Sequence, residues 1–248
     1  MPPGYRLVRL DTVDSTNAEA KRRAEMGEPG PLWIWSSRQS KGRGRAGREW
    51  TSQFGNLFAS LLIRLNCPLQ TASQLALVAG IAAYDTLAKL IAYEGRSDLL
   101  LKWPNDILLA EEKVAGTLLE NVGAIKGNGF VVVIGTGINL ANYPEKLPQP
   151  AISLDAYGLS ITPGQALEVL AATTHDWLQR WAEGATFPSI RRAWLDRAGP
   201  PGRPLHVRLN GEETDGTYAG LDADGALRLK TADGEKRITA GDVFFASR

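Results

Sequence analysis

The chain has 248 residues, 28 Lys and Arg against 27 Asp and Glu, two His and one Cys. That length buries a full core unaided, and a single cysteine with two histidines cannot build an internal disulfide or a Cys/His zinc site, which reads as a reduced, cytoplasmic protein of roughly one to two domains. A net charge of +1 excludes a broad electrostatic grip on nucleic acid or anionic membrane. Apolar runs such as residues 75–83 fall short of the ~18 residues of a membrane span, and Met1-Pro2-Pro3-Gly4 leads into a polar segment without a signal-peptide core. Within that balance, Arg38, Lys41, Arg43, Arg45 and Arg48 fall in one short stretch that contains no acid.

In chain order, residues 5–10 alternate apolar and polar and predict a strand. Asp14-Ser15-Thr16-Asn17 turns it into a helix, with Thr16 and Glu19 at capping-box spacing and an end near Gly27. Pro29-Gly30-Pro31 marks a loop, residues 32–37 a strand, and, beyond the basic stretch, residues 57–65 a mostly apolar strand. Thr71 and Gln74 repeat the capping-box spacing. Leu75, Val78, Ala82, Leu87, Leu90 and Ile91 step by threes and fours, so residues 73–93 predict a helix with a buried face. Apolar runs at 99–101, 107–109, 114–119 and 130–134 lack helix-length spacers and suit a sheet with hairpins better than βαβ crossovers. Thr162-Pro163 opens another helix, with Leu167, Leu170, Trp177, Leu178 and Trp181 on its apolar face, and a short helix covers 190–197. Residues 199–204 form a Gly/Pro linker. Beyond it Asn210-Gly211, Asp215-Gly216, Asp224-Gly225 and Asp233-Gly234 punctuate short alternating segments, which predicts a small all-β barrel over 203–248.

Four segments carry candidate chemistry. In Gln39-Ser40-Lys41-Gly42-Arg43-Gly44-Arg45-Ala46-Gly47-Arg48-Glu49-Trp50 the glycines exclude regular structure and admit close backbone approach, while the arginines supply forked donors for phosphate or carboxylate. Read alone, this loop indicates an anion and is also compatible with a solvated surface loop. Lys102-Trp103-Pro104-Asn105-Asp106 is a corner between apolar strands that places a point charge and two oxygen donors together, a plausible nucleotide set or simply a polar turn. Lys113-Val114-Ala115-Gly116-Thr117-Leu118-Leu119-Glu120 has a lysine at the strand start and a glycine within it, which suits close approach of a ligand or, for the lysine, simple protection of a strand edge. Gly135-Thr136-Gly137-Ile138-Asn139 begins like a dinucleotide fingerprint but lacks its third glycine and following helix, so the glycines are expected to make room for adenine or ribose at a strand end. The hydroxyls and amides of Ser15, Thr16 and Asn17 suit helix capping and a neutral polar ring alike.

The order and spacing of Asp14–Asn17, Gln39–Trp50, Lys102–Asp106, Lys113–Glu120 and Gly135–Asn139 resemble the biotin protein ligases over residues 5–198, and the carboxy-terminal segment also fits that family. The resemblance implies an α+β fold, a class II aminoacyl-tRNA synthetase/biotin synthetase-like mixed sheet with helices over 1–198, followed by an SH3-like barrel over 203–248. It implies activation of biotin by MgATP to biotinoyl-5′-AMP, then transfer to a lysine of a biotin carboxyl carrier domain of acetyl-CoA carboxylase or a related carboxylase. On this resemblance Ser15, Thr16, Asn17, Gln39, Gly42, Arg43, Gly44, Arg45, Lys113 and Gly116 bind biotin. Arg45, Arg48, Trp50, Lys102, Asn105, Asp106, Gly135, Gly137 and Asn139 bind ATP or the adenylate, Arg43, Arg45, Lys102 and Lys113 act in catalysis, and Asp106 takes the magnesium that accompanies ATP. Residues 42–48 match the loop that orders over the adenylate. Asp14 lies too near the start for the DNA-binding domain of repressor-type members, so a ligase without operator binding is expected, with no membrane partner and with a homodimer possible.

Three rivals weigh less. A lipoate–protein ligase carries an Arg-Arg-x-Ser-Gly-Gly-Gly loop that is absent here. An RNA-binding module is at odds with the balanced charge and the missing RNP-type aromatics. An inactive biotin-binding regulator is at odds with the full set of ligand-matching residues.

Overall fold

The computed structural model describes residues 1–91, 98–124, 129–145, 147, 149–209 and 211–245. The first strands, β1 (Arg6–Val13) and β2 (Leu32–Gln39), run parallel and are joined by α1 (Thr16–Glu25). β3 (Leu57–Leu65), β4 (Leu99–Lys102), β5 (Asp106–Leu109), β6 (Glu112–Ala124) and β7 (Phe130–Ile138) complete a seven-stranded sheet in the order β1-β2-β3-β7-β6-β5-β4. Every pairing after the first is antiparallel, and from β4 to β7 the short spacers dictate it, because only an antiparallel return can be made in a few residues.

Two faces of this sheet are buried differently. Leu57, Ala59, Leu61, Ile63 and Leu65 of β3 join the main core with α2 (Gln74–Ile91), α3 (Pro163–Trp181) and α4 (Phe187–Leu195). The alternate residue Leu62 packs with Leu32, Ile34, Val131, Val133 and Ala20 of α1 in a small second core. Side chains alternate along a strand, so both registers of β3 and β7 had to be apolar where they are covered. One ten-residue helix does not cover that second face. Its remainder presents Ser60, Gly116, Gly135 and Gly137, and the candidate site lies there.

Residues 204–245 form a second, five-stranded antiparallel sheet from β8 (Pro204–Leu209), β9 (Glu212–Leu221), β10 (Leu227–Thr231), β11 (Gly234–Ile238) and β12 (Asp242–Phe245), in the order β11-β10-β9-β8-β12.

Several local expectations are corrected. Ser15, not Thr16, caps α1, its hydroxyl accepting from Ala18 N–H, and Glu19 pairs with Arg22 and Arg23 instead of reaching back. Thr71 lies in a 3₁₀ turn, Leu69–Ser73, and Gln74 accepts from the Trp181 indole at 2.8 Å, so no capping box starts α2. The predicted end of that helix at Tyr93 lies outside the described residues, as does Asn210. Leu69–Ile91 is long and apolar enough to pass for a membrane span by length and composition, although no single run in it is; the helix is largely buried between the sheet and its neighbours. α4 starts earlier and stops sooner than 190–197. Asp215-Gly216 lies within β9, where a Cβ on the glycine would press on Leu229 and the Lys230 carbonyl.

Candidate active site

α1 begins at the cavity edge, and its first residues form a hydrogen-bonded corner. Gln39 Oε1 accepts from Thr16 N–H at 2.8 Å and from the Thr16 hydroxyl at 3.1 Å, while Gln39 Nε2 donates to Ser52 Oγ at 3.0 Å. Ser60, fully buried in β3, lies 2.8 Å from Thr16 Oγ1 and donates to Asn17 Oδ1 at 2.6 Å. Asn17 Nδ2 in turn donates to Glu120 Oε2 at 2.7 Å. Burial would raise the Glu120 carboxyl, but hydrogen bonds from Lys21 (2.6 Å) and Asn17, with the charges of Lys21 and Arg43, hold it below the ordinary carboxylate range.

The basic loop is an ordered hairpin. Gly44 N–H donates to Arg48 O at 2.7 Å, Trp50 N–H to Gly42 O at 2.9 Å, and a 3₁₀ turn at Arg45–Gly47 tips it. Ala46 stands at φ 53°, a left-handed backbone that costs a non-glycine residue about 1 kcal/mol. Gly42 is required at the base, since a Cβ there would overlap Ser52 Oγ and the Trp50 carbonyl. Arg43 lies 3.7 Å from Glu120, and Arg48 donates to Asp242 of β12 at 2.8 Å. Arg45 makes no ion pair among the described residues; it donates to Asn105 Oδ1 at 3.4 Å and Gly241 O at 3.2 Å. Burial lowers its pKa, with Asp242 and Asp106 opposing, yet a guanidinium so partnered stays charged and retains donors for an anion.

The corner after β4 is a charge cluster. Lys113 Nζ lies 2.5 Å from Asp106 Oδ1 and Lys102 Nζ 3.2 Å from Oδ2. Lys102 also donates to Gln149 Oε1 at 2.5 Å and lies 5.7 Å from the Phe244 ring. Burial pushes the Lys102 ammonium down, against the pull of Asp106. Burial would push the Asp106 carboxyl up, but the two lysines outweigh it and keep it ionised. Both oxygens of Asp106 are thus engaged by lysines. Among the described residues no group of three or more His, Cys, Asp or Glu could hold a metal. These residues do not fit a resident ion.

Gly135 and Gly137 both border the cavity. They lie in the last part of β7, Gly137 next to its final residue, and protein packs against both: a Cβ on Gly135 would overlap Asn17, and one on Gly137 would lie 2.6 Å from the Trp50 ring. Gly116 likewise admits Trp50 and Lys113. Asn139 spends its amide on the carbonyls of Lys113 and Ile152, pinning the cavity wall. Asn105 donates to the Thr117 carbonyl.

All the expected site residues except Gly42 and Lys102 border one cavity of about 310 Å³. Ser60, Glu120, Gln149, Asp242 and Phe244 were not anticipated. Ser60 was findable as the one hydroxyl in an apolar strand, and Glu120 by its alternation with Gly116 and Leu118. Gln149 and the β12 residues carry no local signal.

Residues 10–139 match the Biotin/lipoate A/B protein ligase family, and residues 202–246 match the Biotin protein ligase C terminal domain. The chain belongs to this ligase family, on its biotin protein ligase branch. It is 39% identical over 243 residues to the Biotin--[acetyl-CoA-carboxylase] ligase of Paracoccus denitrificans, covering 95% of this chain and 99% of that one. It is 32% identical over 248 residues to the bifunctional ligase/repressor BirA of Escherichia coli, covering 98% of this chain and 75% of that one. Among solved structures, the biotin protein ligase from Aquifex aeolicus in complex with biotin and ATP superposes with a TM-score of 0.80 at 27% identity, covering 97% and 99% of the two chains.

Proposed function

We propose that this protein joins biotin to ATP, giving biotinoyl-5′-AMP and pyrophosphate, and then transfers the biotinoyl group to a lysine of a biotin carboxyl carrier domain, releasing AMP. The observation that carries this reading is one cavity bordered by an amide–hydroxyl corner, by Lys113 with Asp106, and by a three-arginine loop, while Lys102 pairs with the same Asp106 carboxylate from outside the lining. Ser15, Thr16, Asn17 and Gln39 suit the ureido edge of biotin. The valerate carboxylate would then run toward Lys113 and Lys102, whose ammonium groups offset charge as its oxygen attacks the α-phosphorus and the bond to pyrophosphate breaks. Arg43, Arg45 and Arg48 would neutralise the α-phosphate and the leaving pyrophosphate. In the second step the acceptor nitrogen attacks the acyl carbon, the anhydride C–O bond breaks, and the nitrogen gives up its proton. A free lysine near pKa 10.4 is neutral in only about one part in 2,500 at pH 7, so a cationic site that favours the neutral amine speeds this step.

An acyl-adenylate hydrolyses readily, which gives the loop at 42–48 its purpose as a cover. The five-strand order of residues 204–245 supports the SH3-like barrel, the antiparallel-rich sheet supports the synthetase-like assignment, and the balanced charge supports a ligase that does not bind DNA. Purified protein, labelled biotin, MgATP and a carrier domain provide the test: label is expected on the carrier lysine, and no incorporation with a competent acceptor defeats the reading. Lipoate in place of biotin is expected to give none.

A further inference from the structure

Glu120 is absent from the expected site, yet it determines what Asn17 can offer a ligand. An ionised carboxylate only accepts hydrogen bonds, so the Asn17 atom 2.7 Å from Glu120 Oε2 is the amide nitrogen. That nitrogen spends its second hydrogen on Leu118 O at 3.4 Å. The carbonyl end accepts from the Ser60 hydroxyl at 2.6 Å and lies against the bare Cα of Gly135, where any side chain would displace it. Lys21, 2.6 Å from Glu120 Oε1, and Arg43, 3.7 Å from Oε2, face the carboxylate and keep it charged. Asn17 is buried and borders the cavity with both amide hydrogens used, so acceptor capacity on Oδ1 is what it has left.

We infer that Glu120 is a specificity-determining positioning residue: by fixing the Asn17 amide in one orientation it makes this corner an acceptor, which selects a ligand that presents an N–H there. This rests on the reading of biotin as substrate, whose ureido ring carries two N–H donors. The wild-type amide–carboxylate pair can be exchanged. Asn17→Asp keeps an acceptor at the Oδ1 position but sets two carboxylates against each other; adding Glu120→Gln restores one donor between them, with the net charge unchanged.

The experiment measures biotin affinity by calorimetry and KM for biotin and for ATP in the parent, Asn17→Asp, and the Asn17→Asp/Glu120→Gln double variant. Asn17→Asp is expected to weaken biotin at least about tenfold with little change in KM for ATP, and the double variant to recover to within about threefold of the parent. Undiminished affinity in Asn17→Asp, or a double variant as weak as the single, overturns the inference. A second measurement needs only the parent protein: cyclic-carbamate analogues of biotin, each with one ureido N–H replaced by a ring oxygen. At least one of the two is expected to bind about tenfold more weakly, since a site built for an N–H rejects an analogue lacking it; two analogues that match biotin overturn the inference. No biotin binding by the parent would defeat the functional reading instead.

Discussion

The indole of Trp50 lies over Gly137, so close that a Cβ on that glycine would come within 2.6 Å of the ring. A strand residue and a loop residue far apart in sequence thus fix one wall of the cavity. Gly137→Ala is expected to push the ring away, because Trp50 sits on a loop and gives way before the central strand does. The expected result is a loss of at least about tenfold in kcat/KM for biotin, with the unfolding midpoint little changed, since core overpacking is relieved by the loop. In a Trp50→Leu background the same substitution is expected to cost much less, and an equal cost in both backgrounds would contradict the relationship.

Arg48 and Asp242 connect the loop to the second sheet at 2.8 Å, and both side chains are partly exposed. As a stabilising interaction this pair is expected to contribute under about 1 kcal/mol. Its larger effect is to hold the loop down. Asp242→Ala is expected to leave the urea midpoint nearly unchanged while increasing the release of biotinoyl-AMP into solution, measured by thin-layer separation of labelled nucleotide. Arg45→Gly, which also removes contacts to Asn105 and Gly241, is expected to leak more. Release equal to the parent in both variants would contradict the loop's role as a cover.

Asp106 neutralises two lysines, one of them almost fully buried. Removing the carboxylate strands Lys102 in the interior, and breaking a buried pair on one side costs about 3–5 kcal/mol. Asp106→Ala is therefore expected to lower stability by about that amount in denaturant titration. Exchange of Lys102 for Met in the same background is expected to recover part of it, because the uncompensated charge is gone.

Arg22 holds the Asp14 carboxyl at about 2 against an ordinary value of 3.8, chiefly through its hydrogen bonds. A carboxyl depressed in the folded state adds stability above its unfolded value and loses that contribution as pH falls toward the folded one. Both side chains are substantially exposed, so solvent screening limits the contribution to under about 1 kcal/mol. Urea midpoints taken above and below this window are expected to converge between parent and Asp14→Asn as acid is added. A gap that stays constant with pH would show that Asp14 contributes through something other than its charge.

Much of this protein was legible in its sequence because the relevant physics is local. Glycines in the basic loop exclude regular structure, proline fixes the corner after Trp103, and missing helix-length spacers force an antiparallel return; these depend on neighbours in the chain. Only the tertiary structure placed Asn17 against Gly135 and Trp50 against Gly137, because a strand residue meets whatever the loops place above it. Only the tertiary structure committed Asp106 to Lys102 and Lys113, since charges separated in sequence pair by distance in space. The same holds for the near-balance of 28 positive against 27 negative residues. The totals excluded a broadly basic surface, while the fold left Arg45 without an acid partner among the described residues and engaged Asp106, Glu120 and Asp242 with the site's other cations.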